Sequence, residues 1–340
     1  MRTMHVKQWW WLAVVLLLAI GIAFALKPLF LRPVAPLSIV IAQLHLPHSG
    51  LLQIAQAKGY FAEQRLHVTV RRVLLGNEAV TQVLRGEADV GTTAETPVAR
   101  ALAEGKQPKI IASIFSSRWI SGIVVRSDHG ITQPLDLKGK RIGYVFGTNT
   151  HYDLETFLSF HDIALASVTM VPGMPDKLAE AMLLGELDAV SLWIPYLTQL
   201  QHQLGDKATT FYPNEGFMQT VILVVRPDYV ARHRDAIDRL LRALLKAEAF
   251  VETDPQQALA IIAAASNLDA DVLRGHGNPL TYELTLKQSL LIATENQARW
   301  FLRRGLVPGK QPDDAGPDVL AAFETAPLRA LKPSAVTVSK

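Results

Sequence analysis

Cysteine is absent from this 340-residue chain. Disulfides, thiolate metal sites and cysteine nucleophiles are therefore excluded, and so is lipid attachment through an N-terminal cysteine. Charge of one sign is also scarce, with a formal net charge of only +3. No basic stripe with interleaved aromatics occurs, so nucleic acid is not an expected partner. Catalytic signatures are missing as well: there is no H-E-x-x-H, no P-loop, no G-x-S-x-G elbow and no complete G-x-G-x-x-G. Ten histidines are present, but His45 and His48 stand at a strand end without a carboxylate cluster. Neither a metal nor a cofactor is expected, and His151, Asp153 and Glu155 read as a helix start where acids suit the dipole.

Apolar residues are plentiful, at 49%, which is enough for one or two sizeable cores. Only one long uncharged apolar run exists, the 18 residues Trp9–Leu26. As a helix it would be about 27 Å long at ~1.5 Å per residue, just enough to cross a bilayer core. Arg2 and Lys7 precede it and favour an N-terminus inside. Ala23-Phe24-Ala25 fits a small-x-small cleavage site. Residues 1–26 are thus read as an inner-membrane anchor or a cleaved signal peptide, and 27–36, with Pro28, Pro33 and Pro36, as a stiff linker. Either reading exports residues 37–340.

After the linker, strand and helix patterns alternate. Strands are expected at Leu37–Leu44, His67–Val73, Ala88–Gly91 and Lys109–Phe115, with helices at Gly50–Gln64, Asn77–Arg85 and Pro97–Glu104 between them. The order resumes with strands at Arg141–Phe146, Val168–Val171 and Ala189–Leu192, and helices to about His161 and at Lys177–Leu184. Helices are expected at 228–252, 255–265, 285–304 and 316–325. This β-α-β-α order implies an α/β fold with mainly parallel, doubly wound sheets.

The chain also resembles itself. Leu84-Arg85-Gly86-Glu87-Ala88-Asp89-Val90 is echoed by Leu184-Gly185-Glu186-Leu187-Asp188-Ala189-Val190, the glycines standing 99 residues apart. Ile123-Val124-Val125-Arg126-Ser127-Asp128 is echoed 100 residues later by Leu223-Val224-Val225-Arg226-Pro227-Asp228. The strand before Pro47-His48-Ser49-Gly50 is echoed by that before Gly147-Thr148-Asn149-Thr150. One common offset points to two related lobes. Two V-V-R-x-D strands suggest two crossings, assigning 37–120 and 220–340 to lobe one and 121–219 to lobe two, with a ligand cleft between them.

These motifs, in order, carry a resemblance to the nitrate/sulfonate/taurine type of ABC-importer substrate-binding proteins. The carriers are Gly59-Tyr60-Phe61, Arg85-Gly86-Glu87-Ala88-Asp89-Val90-Gly91, Asp136-Leu137-Lys138-Gly139-Lys140-Arg141-Ile142-Gly143, Gly147-Thr148, Gly185-Glu186-Leu187-Asp188-Ala189 and Leu192-Trp193-Ile194-Pro195-Tyr196. Ile194 departs from the pattern, since many relatives carry an acid there. The resemblance implies a periplasmic binding protein of the second type: two doubly wound lobes joined by two crossing strands, closing on a small ligand. It implies an ABC permease and its ATPase as partners and no catalysis, and the chain is expected to be a monomer. The same family includes binders of thiamine-pyrimidine precursors and related biosynthetic enzymes, so the ligand stays open. The same clamp could also serve a separate signalling partner.

Such a clamp needs donors at strand-to-helix turns, where free N–H groups and the helix dipole suit oxyanions. Three turns qualify: His48-Ser49-Gly50, Thr92-Thr93-Ala94 and Gly147-Thr148-Asn149-Thr150. Ser49, Thr93 and Asn149 are equally the residue types of helix N-caps. Arg118 could fork onto an anion or sit in solvent. Trp119 and Trp193 could enclose an apolar part or fill a core, and Ser121, Gly122 and Gln219 stand at the expected hinges.

Overall fold

The computed structural model describes residues 35–213, 218–274 and 280–339. The anchor or signal at 1–26 lies outside the described residues, as does all of the linker but Ala35 and Pro36. Ten strands form two five-stranded sheets. The first contains β1 (Leu37–Leu44), β2 (Leu66–Val73), β3 (Val90–Ala94), β4 (Lys109–Ser117) and β10 (Gln219–Val225). The second contains β5 (Ser121–Arg126), β6 (Arg141–Tyr144), β7 (Thr169–Pro172), β8 (Ala189–Trp193) and β9 (Ala208–Phe211). The inner strands are buried along most of their length, as expected where helices cover both faces of a sheet.

Thirteen helices among the described residues pack around these sheets. They are α1 (Gly50–Ala57), α2 (Tyr60–Glu63), α3 (Gly76–Arg85), α4 (Glu95–Ala103), α5 (Asn149–Phe160), α6 (Pro175–Leu183), α7 (Tyr196–Leu204), α8 (Pro227–Arg232), α9 (Arg234–Thr253), α10 (Pro255–Ser266), α11 (Ala270–Arg274), α12 (Gln288–Arg303) and α13 (Ala326–Leu331). In the second sheet, Ile123, Ile142, Leu154, Phe157 and Leu158 form one cluster with Ile131 and Leu137, so α5 is sealed onto β5 and β6.

The strand orders are β2-β1-β3-β10-β4 and β7-β6-β8-β5-β9. Matching β1 to β6 makes the two orders identical. All three internal echoes fall on equivalent places, and their side chains explain why. Gly86 and Gly185 end α3 and α6 with φ of +77° and +75°, a left-handed stop that side chains with a Cβ resist. The arginines of the two V-V-R-x-D strands then satisfy helix-end carbonyls: Arg226 donates to Val83 O (3.1 Å) and Ala88 O (2.9 Å), and Arg126 to Met182 O (2.9 Å). Each is held by the aspartate two residues on, Asp228 and Asp128. The aspartates after the glycines, Asp89 and Asp188, accept from Val40 N and Arg141 N of β1 and β6, both at 2.8 Å. Each echo is thus one bracket joining a helix end to two strands.

The sheets are mixed, which corrects the expectation of mainly parallel ones. β1, β3, β6, β7 and β8 make parallel pairs, but β10 is antiparallel to β3 and β4, and β5 to β8 and β9. Both β5 and β10 arrive from the other sheet, so they enter at the end where their parallel neighbours leave. Local differences have similar causes. The expected helix Gly50–Gln64 divides at Gly59, and 228–252 divides at His233. Residues 316–325 form only a 3-10 turn at Leu320–Ala322, because their backbone pairs with the edge of β4, Glu324 N donating to Ile110 O at 2.9 Å. That segment and Thr281–Thr285 cover an edge that would otherwise expose unpaired backbone. Helix α7 and strand β9 were not read from the sequence.

No helix of the described residues is long and apolar enough to cross a membrane.

Candidate functional site

The ends of β1, β3, β6 and β8 face a small cavity of about 40 Å3, more than the ~10–15 Å3 one water needs. From the first sheet it takes Leu44, Leu46, His48, Gly76 and Ala94, and from the second Ile120, Thr148, Asn149 and Trp193. Gln219, on the returning crossing, closes its floor. Three helices begin here: α3 at Gly76, α4 after Ala94 and α5 at Asn149. None of the three has a capping bond from its N-cap side chain, and the positive dipole ends of all three lie beside the cavity. A Cβ on Gly76 would sit 2.4 Å from Thr93 Oγ1, so only glycine lets α3 start this close to β3.

No lysine, arginine, aspartate or glutamate lines this cavity. His48 is neutral there: burial lowers its pKa to about 3. Its ring packs on Phe115 at 5.1 Å, and its Nε2 has no partner. Trp193 is 7% exposed, and its buried Nε1 is also without a partner. An indole N–H can only donate, and leaving it buried and unpaired costs roughly 1–3 kcal/mol. The site therefore offers neutral donors in an apolar shell.

Behind the cavity, four side chains tie the two sheets. Asn149 Nδ2 donates to Gln219 Oε1 at 3.3 Å, and Gln219 Nε2 donates to Ser121 Oγ at 2.8 Å. Asp153 Oδ2 accepts from Ser121 Oγ (2.8 Å) and from Gln219. A second tie joins α12 to α5. Glu155 accepts from Trp300 Nε1 (2.9 Å) and Arg304 Nε (2.8 Å), while His151 Nε2 lies 3.2 Å from it. Burial alone would raise the Glu155 pKa, but these donors outweigh it and hold the carboxyl below its ordinary range.

Of the residues expected at the site, His48, Ala94, Thr148, Asn149, Trp193 and Gln219 meet at the cavity. Ser121 stands one hydrogen bond behind it. Ser49 and Thr92 instead fasten the end of β1, through Ser49 Oγ to Leu44 O (2.9 Å) and Leu44 N to Thr92 Oγ1 (2.7 Å). Thr93 turns its hydroxyl to Ala94 O, and Thr150 Oγ1 accepts from Val145 N. Gly50 lies under Tyr282 and Ile262. Gly147, with φ of +72°, abuts Arg100 across the interface. Gly122 faces Thr210 and Tyr212, and Arg118 is exposed. Trp119 borders a different cavity. Sequence reasoning missed Gly76, although the rule that selected the other strand-to-helix turns applies to it. It also missed the apolar lining from Leu44, Leu46 and Ile120, which nothing separates from core residues in sequence. Among the described residues no group of three potential ligands could hold a metal.

The alkanesulfonate-binding protein of Xanthomonas axonopodis pv. citri, solved bound to MOPS, superposes with a TM-score of 0.72 at 20% identity, over 86% of this chain and 99% of that one. The fold is thus that of periplasmic binding proteins, two α/β lobes. In sequence, the taurine-binding periplasmic protein of Escherichia coli is 26% identical over 200 residues, 58% of this chain and 61% of that one. A 4-amino-5-hydroxymethyl-2-methylpyrimidine phosphate synthase of Schizosaccharomyces pombe is 24% identical over 227 residues, 63% of each chain. Residues 47–258 match the family described as NMT1/THI5 like. That stretch contains the strand-to-helix turns and both crossings, and the chain belongs to the NMT1/THI5-like family.

Proposed function

We propose that this protein is the substrate-binding component of an ABC importer, capturing a small organic monoanion of the sulfonate class and delivering it to a membrane permease. The observation that carries this reading is the cavity beside which three helices begin and which Trp193, its indole N–H unpartnered, lines without any cationic side chain. Partial charges and neutral donors suit one delocalised negative charge, and the apolar lining suits a carbon chain beside it. The sulfonate-binding relative and structural neighbour support the same class. A binding rather than an enzymatic role is supported by the taurine-binding and alkanesulfonate-binding proteins to which the chain is similar. It works at the periplasmic face, held there or released according to the fate of residues 1–26.

The synthase relative supports a second reading, binding of a thiamine-type pyrimidine in the same cleft. Unpaired His48 Nε2 and Trp193 Nε1 could serve a heterocycle as well as an oxyanion. A thermal-shift screen separates the two. Taurine, hexanesulfonate, nitrate and 4-amino-5-hydroxymethyl-2-methylpyrimidine are each added to the protein, since a ligand of the folded state raises Tm by mass action. A sulfonate is expected to give the largest rise. A rise with the pyrimidine alone overturns the sulfonate reading.

A further inference from the structure

We propose that a second cavity, on the far side of Gln219, is a binding site for an organic ammonium that carries N–H donors on an aromatic or alkyl body. Gln219 borders both cavities, so its bonds to Asn149, Ser121 and Asp153 form the partition between them. The rear cavity measures about 690 Å3, within the ~300–1,000 Å3 range of small-molecule sites. The front one is more than tenfold smaller.

Its chemistry is opposite to that of the front cavity. The walls are aromatic. Trp119 meets Tyr212 edge to face at 4.8 Å, and Phe157 stacks on Phe211 at 5.8 Å. Phe160 stands at the border 82% exposed. Ring faces carry negative potential and attract cations. The lining also includes the carboxyls of Glu95 and Asp153, and no lysine or arginine.

A third feature asks for a donor. Gln297 is 5% exposed, and its Oε1 has no partner. Its amide orientation follows from its neighbour. Glu95 Oε2 already accepts from Thr220 N and Oγ1, both at 3.1 Å, and Gln297 Nε2 points at Glu95 Oε1 at 3.4 Å. The carbonyl oxygen is therefore the group left over. Buried polar groups are normally paired, and an N–H of an ammonium would pair this one beside a carboxyl. Burial raises the Glu95 pKa against those hydrogen bonds, which is the condition a nearby cation would relieve.

The inference stands apart from the sulfonate reading, because Gln219 is the only residue that the two linings share. The test is calorimetric titration of the full-length protein with 2-phenylethylamine, benzyltrimethylammonium and 3-phenylpropionate. The amine is expected to bind most tightly, the N–H-free cation severalfold less, and the carboxylate at least roughly tenfold less. Gln297→Leu should weaken the amine by roughly tenfold or more. Phe160→Ser, at an exposed position that folding does not need, should weaken it severalfold. Hexanesulfonate affinity should stay unchanged in Phe160→Ser. The proposal is overturned if 3-phenylpropionate binds as well as the amine. It is equally overturned if the amine shows no saturable binding up to concentrations on the order of 10 mM, or if both variants bind it like the parent.

Discussion

Replacing Trp193 with phenylalanine separates a ligand-binding indole from a merely packed one, because the two roles predict different signs. In the unliganded protein the indole N–H is buried without a partner, a burden of roughly 1–3 kcal/mol. Phenylalanine removes that burden but also removes part of a ring that is 7% exposed, costing about 1–2 kcal/mol of packing by the usual large-to-small scale. The two nearly cancel, so folding stability should change by no more than about 1 kcal/mol. Binding has no such cancellation. A hydrogen bond to a charged acceptor contributes roughly 1.5–3 kcal/mol, so affinity for an alkanesulfonate should fall roughly 10- to 150-fold at ~1.4 kcal/mol per tenfold. Titration calorimetry and urea melts of parent and variant measure both. A variant that binds the sulfonate normally while losing more than about 3 kcal/mol of stability would refute the reasoning and make Trp193 a core residue.

Four further outcomes follow from the brackets and buried titratable groups. Arg226→Met strips partners from Val83 O and Ala88 O and should destabilise the fold by roughly 1.5–3 kcal/mol in a urea melt, while the folded fraction binds ligand normally. The Glu155 carboxyl is held below its ordinary pKa, so its contribution is present above the unfolded value and lost as pH falls through the lower folded one. Glu155→Gln should therefore flatten the loss of stability below about pH 4.3, as read from urea midpoints across that range. His48 has its pKa lowered to about 3 by burial, so between its ordinary value of 6.5 and that figure the unfolded chain takes up a proton that the folded one refuses. Stability should fall as pH drops through this window, and His48→Leu should remove that part of the fall. The same neutrality means that sulfonate affinity should not change between pH 8 and pH 5, as titrations at the two ends would reveal.

Much of the fold was readable because it is written locally. The alternation of apolar strands with helix patterns marks β1, β2, β4, β6, β7 and β8 within a residue or two. The echoed motifs were readable for a stricter reason. Each combines a left-handed glycine, an aspartate and a V-V-R strand whose arginine must reach that same helix end. A bracket used twice leaves two copies in the chain. The irregular 316–325 segment was not readable, since its backbone is satisfied by a strand some two hundred residues away. At the site, the turns carrying Thr148 and Asn149 were visible as glycine followed by hydroxyl and amide at a helix start. The difference between Thr148, which lines the cavity while its hydroxyl donates to Val145 O, and Thr92, which fastens β1, was not visible, because both are hydroxyls at strand ends.

The sequence by itself determined the secondary elements, the doubled α/β plan, the lack of cysteine chemistry and the strand-to-helix turns that could meet an oxyanion. These depend on composition, periodicity and residues close along the chain. Tertiary structure alone decided which turns converge, that Trp193 and His48 bring unpaired nitrogens to one small cavity, and that Gln219 divides it from a larger aromatic one. It also decided that Glu155 of α5 answers Trp300 of α12 and Arg304 just after it. Those facts depend on how two sheets lie against each other, a distance in space that spacing along the chain does not encode.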